Sequence, residues 1–291
     1  MTHNRELRLT IPSMPTSDGA GVKLRRSLGQ RAVDALRLDP FLMLDEFYSD
    51  NPDDYLAGFP PHPHRGFETV TYMLDGHMQH QDHLGNTGDL GPGGVQWMTA
   101  GRGVIHSEMP QQREGRMRGF QLWINLPGAE KMKPADYRDI PAESIPELEL
   151  DGARIRVIAG RIALEGQAAA GAVNAEPDSM ATDPVYLDVH LEANAELVLP
   201  LPESHNAFVY PYEGELDVAG QFLRQQAVGI LGEGEAVSLR AGEAGARLLL
   251  LAGRPIGEPV AQYGPFVMNT REEIEQAVAD YRDGRLTDAP A

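Results

Sequence analysis

Two short motifs carry ligand-type side chains at a spacing that matters. Residues 61–68 read PHPHRGFE, which sets His62 and His64 two positions apart. In extended backbone, side chains at that spacing share one face. Pro63 favours this conformation, because a residue before proline is pushed out of the helical region. Proline also cannot donate to a sheet ladder, so the segment belongs at the start of a strand or at an edge. His106-Ser107-Glu108 repeats the pattern. Two extended segments of this kind can close on one ion with three neutral imidazoles and one carboxylate. That set suits Fe, Mn, Ni, Cu, Co or Zn better than hard calcium. On a six-coordinate ion it leaves the exchangeable positions that catalysis needs. Spacing by itself leaves two readings open, a metal centre or histidines that are satisfied or exposed.

Six of the nine histidines lie between residues 62 and 106. His77, His80 and His83 recur every third residue, which is not a strand period, within the polar stretch GHMQHQDHLG. They read as exposed loop histidines following the Asp75-Gly76 turn. On that reading His62→Ala or His106→Ala removes metal, whereas His80→Ala does not. His3, His190 and His205 are isolated and are assigned no chemistry.

The chain has no cysteine, which excludes disulfides, thiolate nucleophiles and sulfur-rich zinc modules. With 43 acidic and 25 basic residues the formal charge is −18, so nucleic acid and anionic membrane are poor partners. The N-terminal MTHNRELRLT has no apolar run of the secretory kind, and the longest apolar stretch, 248–252, is too short to span a bilayer. A cytoplasmic protein is expected. One local exception to the acidity is Arg102, Arg113, Arg116 and Arg118, which reads as a solvated loop or as a docking surface for an acidic partner.

The elements that must hold the ligands are short strands. Residues 68–74, 119–126 and 154–159 are β-branched or aromatic and end in Gly- or Pro-containing turns. A second series follows at 185–191, 195–199, 207–211, 215–218, 227–231 and 247–251. Residues 131–149 carry Pro134, Pro141 and Pro146 without a clear period and read as the linker. An all-β chain of two domains is expected, 1–135 and 136–291. One helix is predicted after Thr270, where a capping box with Glu273 precedes Ile274, Ala277, Val278 and Tyr281, with a stop near Gly284.

The stretch PHPHRGFETVTYMLDG, followed by QWMTAGRGVIHSEMP, resembles the pirin family of the cupin superfamily. The likeness continues through DPFLMLDEF at 39–47, QLWIN at 121–125, LGEGE at 231–235 and GPFVMNT at 264–270. The resemblance implies a bicupin, two antiparallel jelly-roll-like β-barrels in one chain, here with a short C-terminal helix. It implies one metal, most often Fe(II), in the N-terminal barrel, with ligands matching His62, His64, His106 and Glu108. Glu68 occupies the glutamate position of the general cupin motif, but in this family it is structural or supports a ligand. The C-terminal barrel, lacking any His-x-His, is expected to hold no metal.

The resemblance further implies a quercetin 2,3-dioxygenase-like oxidoreductase acting on an enolisable aromatic such as quercetin with O2. Glu108 is the catalytic base, and Phe67, Trp97 and Met98 are candidates for the apolar wall, each also an ordinary core residue. A second family reading is a non-enzymatic, redox-sensitive iron protein that regulates a transcription factor or metabolic enzyme, docked near 113–118. A third is a purely structural metal. The family also implies a monomer.

Overall fold

The computed structural model describes residues 3–30 and 38–288. Its elements follow the sequence pattern. Apolar and β-branched stretches become strands, and the glycines between them take up the turns. Contacts divide the described chain into two compact units. One comprises residues 14–30, 41–142 and 256–288, the other residues 3–13, 38–40 and 143–255. The expected boundary at 135/136 therefore needs correction on three counts. The strand Asp136–Ile140 joins the first unit by pairing with Val95–Thr99. The helix segment also belongs to the first unit, whereas the N-terminal strand Leu7–Pro12 pairs with Ala227–Leu231 in the second. Local patterning carries no information about such long-range pairing.

The first unit is built from two sheets. A seven-stranded antiparallel sheet runs in the order Asp136–Ile140, Val95–Thr99, Phe67–Asp75, Met117–Asn125, Phe41–Ser49, Val22–Leu28 and Met14–Asp18. A four-stranded sheet runs Phe59–His64, Val104–Pro110, Met78–Asp82 and Thr87–Leu90. Val22, Leu24, Phe47, Met73, Met78 and Met117 pack together as an apolar cluster.

The second unit is dominated by a nine-stranded sheet that includes Ala236–Gly253 and Asn206–Val218. The latter was expected as two strands. It is one, with register shifts flanking Glu213 and Gly214 where the turn was placed. Strict alternation along Val185–Leu191 sends Leu187, Val189 and Leu191 into an apolar core with Val157, Val209 and Leu250.

The helix forms where its sequence places it, although Val278 and Tyr281, expected on its apolar face, are exposed. It spans Arg271–Arg282, Thr270 and Glu273 make both bonds of the capping box, and Ile274 and Ala277 are buried. No helix among the described residues is long and apolar enough to cross a membrane.

The C-terminal segment is tied to the first unit beside His64. Val267 N–H donates to the Arg65 carbonyl at 3.0 Å. Gly66, at φ +91°, lets that backbone approach, because a Cβ there would lie 2.0 Å from the Val267 carbonyl oxygen. The buried Lys131 ammonium spends its three protons on Gly66 O (2.7 Å), Asn125 Oδ1 (2.6 Å) and Val267 O (3.0 Å). Burial pulls its pKa down to about 8. Arg65 donates to the Arg102 carbonyl, to Asp280 Oδ2 at 2.7 Å and to Leu286 O at 2.9 Å. Lys131→Met strands three buried acceptors and should cost at least about 3 kcal/mol, read as a lower denaturant midpoint. An unchanged midpoint would show that the clamp contributes nothing.

Candidate metal centre

His62 and His64 sit at the end of Phe59–His64, and His106 and Glu108 sit on the neighbouring Val104–Pro110. The two strands are antiparallel, with His106 opposite His62 and Val104 opposite His64. Glu108 is opposite Phe59, so the proline strand carries an extra residue at this point. Pro60 and Pro61, which lack N–H donors, occupy the irregularity.

The three imidazoles converge. One nitrogen from each of His62, His64 and His106 can be chosen so that all lie within 4.8 Å of one another. Their ring centroids are 4.4–4.9 Å apart. His62 Nδ1 lies 2.9 Å from the Pro60 carbonyl, which accepts its proton and leaves Nε2 as the free lone pair. His106 Nδ1 lies 3.1 Å from His80 Nδ1, and His106 Nε2 is buried with no hydrogen-bond partner among the described residues. An orphaned, buried imidazole lone pair beside two other imidazoles fits a metal ligand set. Burial, reinforced by the neighbouring histidines, holds His64 and His106 well below the usual imidazole range. Both are thus kept in the neutral form that ligation requires. Trp123 and Phe67 pack against the His64 ring at 5.4 and 5.2 Å between centroids and keep water from it.

Glu108 is buried, lines the same cavity, and stands outside the three-imidazole set. Its Oε1 is 3.1 Å from Thr71 Oγ1, which also lies 2.6 Å from Gln121 Oε1. Thr71 has one proton for two oxygens. The charge-assisted bond to the carboxylate is the stronger. Gln121 then meets Thr71 with its amide N–H, by the exchange of O and N that an amide permits. Glu68 points elsewhere, accepting from Thr99 Oγ1 at 2.7 Å with Lys133 at 4.0 Å, and burial raises its pKa.

One expectation is overturned here. His80 is no loop histidine. It is buried on Met78–Asp82, directly opposite Glu108, and its ring lies 4.8 Å from that of His106. The every-third spacing hid an alternation, since Met78, His80 and Asp82 are buried while Gln79 and Gln81 are not. His77 and His83 do flank the strand, partly or fully exposed. Of the two readings of Phe67, Trp97 and Met98, the core one holds. The cavity, about 720 Å³, is lined by Trp123, Phe59, Phe47 and Met43, whereas Phe67, Trp97 and Met98 are core residues outside its lining. Of the four arginines, Arg118 is buried against Glu46 at 3.1 Å and Arg116 pairs with Asp50 at 2.8 Å. In the second unit, His190 bonds Arg154 and Tyr212, and His205 Nε2 lies 2.9 Å from the Asp183 carbonyl.

The chain matches two family models, that of pirin over residues 21–124 and that of the pirin C-terminal cupin domain over 186–287. It is 56% identical to a Pseudomonas aeruginosa protein named "Putative quercetin 2,3-dioxygenase", over 98% of this chain and 99% of the relative. It is 40% identical to human pirin, over 98% and 95% respectively. Among solved structures, a quercetin 2,3-dioxygenase from Acinetobacter baumannii superposes with a TM-score of 0.86 at 35% identity, covering 98% of this chain and 99% of that one.

If the imidazoles hold a metal, His62→Ala and His106→Ala should each lower occupancy sharply after dialysis against iron(II) or zinc(II), measured by elemental analysis. His80→Ala, which releases the His106 ring, should weaken affinity about 10-fold or more, as loss of a ligand-orienting partner does. Equal metal content in wild type and all three variants would remove the assignment.

Proposed function

Since the chain belongs to the pirin family of two-barrel cupins, we propose that it is a mononuclear metal-dependent dioxygenase that cleaves a flavonol-type enolisable aromatic with molecular oxygen. The observation that carries this reading is a cluster of three imidazoles, of which His62 and His64 line, beside a buried carboxylate, an aromatic-walled cavity large enough for a small molecule. Relatives named for quercetin 2,3-dioxygenase support the substrate class. His62, His64 and His106 would hold the ion, with Glu108 as the fourth donor, and iron(II) is the ion proposed. A bound divalent ion supplies Lewis acidity toward a substrate hydroxyl and, as iron, redox chemistry with oxygen.

The remaining work falls to side chains. Glu108 accepts the proton of the substrate hydroxyl at Oε2, because Oε1 is engaged by Thr71. Thr71 thereby fixes the carboxylate, and its place on the interior strand Phe67–Asp75, paired on both sides, makes that anchor rigid. Trp123 and Phe47 offer faces for an aromatic ring, and Phe67 behind Trp123 seals the histidine end from water.

The test is direct. Protein loaded with iron(II) without oxygen, and confirmed loaded by elemental analysis, should consume quercetin and O2 together when both are supplied. His106→Ala should abolish this, and Glu108→Gln should lower turnover per bound metal by about 100-fold. Full occupancy without consumption would overturn the dioxygenase reading while leaving the metal centre in place.

A further inference from the structure

The cavity has a second polar region that the proposed chemistry at the histidines does not use. Cross-strand register aligns Thr71 with Gln121, Gln121 with Asp45, and Asp45 with Arg26. These four residues form one row across four adjacent strands, and all four line the cavity. At about 4.8 Å per strand the row runs roughly 14 Å from Thr71, beside Glu108, to Arg26.

At its far end the guanidinium is locked. Arg26 Nε donates to Asp45 Oδ1 at 2.8 Å, and Nη2 donates to Asp45 Oδ2 at 2.7 Å and to Asp18 Oδ2 at 2.8 Å. Asp45 is buried, while Arg26 and Asp18 keep 23% and 53% of their side-chain surface. The remaining nitrogen, Nη1, makes no hydrogen bond among the described residues, so two oriented donors stay available at the cavity wall.

Charge decides what such a site accepts. One guanidinium faces two carboxylates, which disfavours a substrate carboxylate or phosphate. Arg26 already pairs with both Asp45 and Asp18, so the cluster has no surplus positive charge to offer an anion. A neutral vicinal diol fits instead. One hydroxyl donates to Asp18 and its neighbour accepts from Arg26 Nη1. The wall between the two ends is Phe47, Trp123 and Met43, which suits a flat aromatic body.

We propose that Arg26 and Asp18 form a second anchor for the substrate, binding a catechol-type pair of hydroxyls at the end of the cavity remote from the histidines. This rests on the proposed flavonol-type substrate but not on turnover. The anchor selects among hydroxylated aromatics, whereas the histidine end performs the chemistry. A bidentate Arg–Asp pair with a purely structural task would lose stability, not ligand discrimination, when altered.

Calorimetric titration of the full-length, iron(II)-loaded protein without oxygen separates these roles. The probes are luteolin, a flavone with a catechol ring that lacks the 3-hydroxyl, and chrysin, the same ring system without that catechol. Wild type should bind luteolin on the order of tenfold or more tighter than chrysin. Arg26→Lys, which keeps charge but loses the fork, and Asp18→Asn should each erase most of that ratio with chrysin affinity little changed. Asp18 is half exposed, so Asp18→Asn keeps the test valid if Arg26→Lys melts early. A luteolin-to-chrysin ratio near one in wild type, or a ratio preserved in folded variants, overturns the anchor. A ratio lost in the variants by a protein that never consumes quercetin leaves the anchor standing and removes only the dioxygenase reading.

Discussion

The pairing of His106 with His62 across two antiparallel strands is the constraint from which the rest of the site follows. Once that register is set, His64 and Glu108 come onto the same side by the two-residue period of extended chain. The extra residue in the proline strand places Phe59 opposite Glu108, whose carboxylate is held by Thr71. A slip of one residue between the strands would turn one strand's pair away from the other's. What resists the slip is the surrounding bonding, with Lys131 gripping the Gly66 carbonyl just past His64, Arg65 anchored to the Leu286 carbonyl and to Asp280, and Gly66 admitting the Val267 carbonyl at a distance no other residue would permit.

The two units solve the same packing problem differently. In the second, inward positions are given to Val157, Val189, Val209, Leu239 and Leu250, and apolar packing fills the interior. In the first, inward positions near the histidines go to Thr71, Gln121, Asp45 and Arg26, and a cavity is left. Burying that many polar groups is costly unless each is bonded. The row meets this demand through the Thr71–Glu108 and Arg26–Asp45 bonds, which also give the cavity wall its chemical polarity.

Much of this was legible in the sequence, for physical reasons. The histidine pairs stand at the strand period, and the capping box announces the helix, because both signals are local. The strand Asp136–Ile140 was read as linker because it is an edge strand with largely exposed, polar residues. His80 was missed because its neighbours at 77 and 83 suggested a different period. Arg26 and Asp45 gave no signal at all, since the register that joins them to Gln121 and Thr71 brings together residues scattered from 26 to 121. The exchange of terminal segments between the units was hidden for the same reason.

The central claim is that His62, His64 and His106 hold one ion together. X-ray absorption at the iron edge of the iron(II)-loaded protein tests it most directly, because imidazole rings give outer-shell scattering that can be counted. The account predicts a signal fitted by three imidazoles in wild type and by fewer in any His106→Ala protein that retains metal. The same imidazole count in wild type and His106→Ala, at comparable metal content, would contradict it.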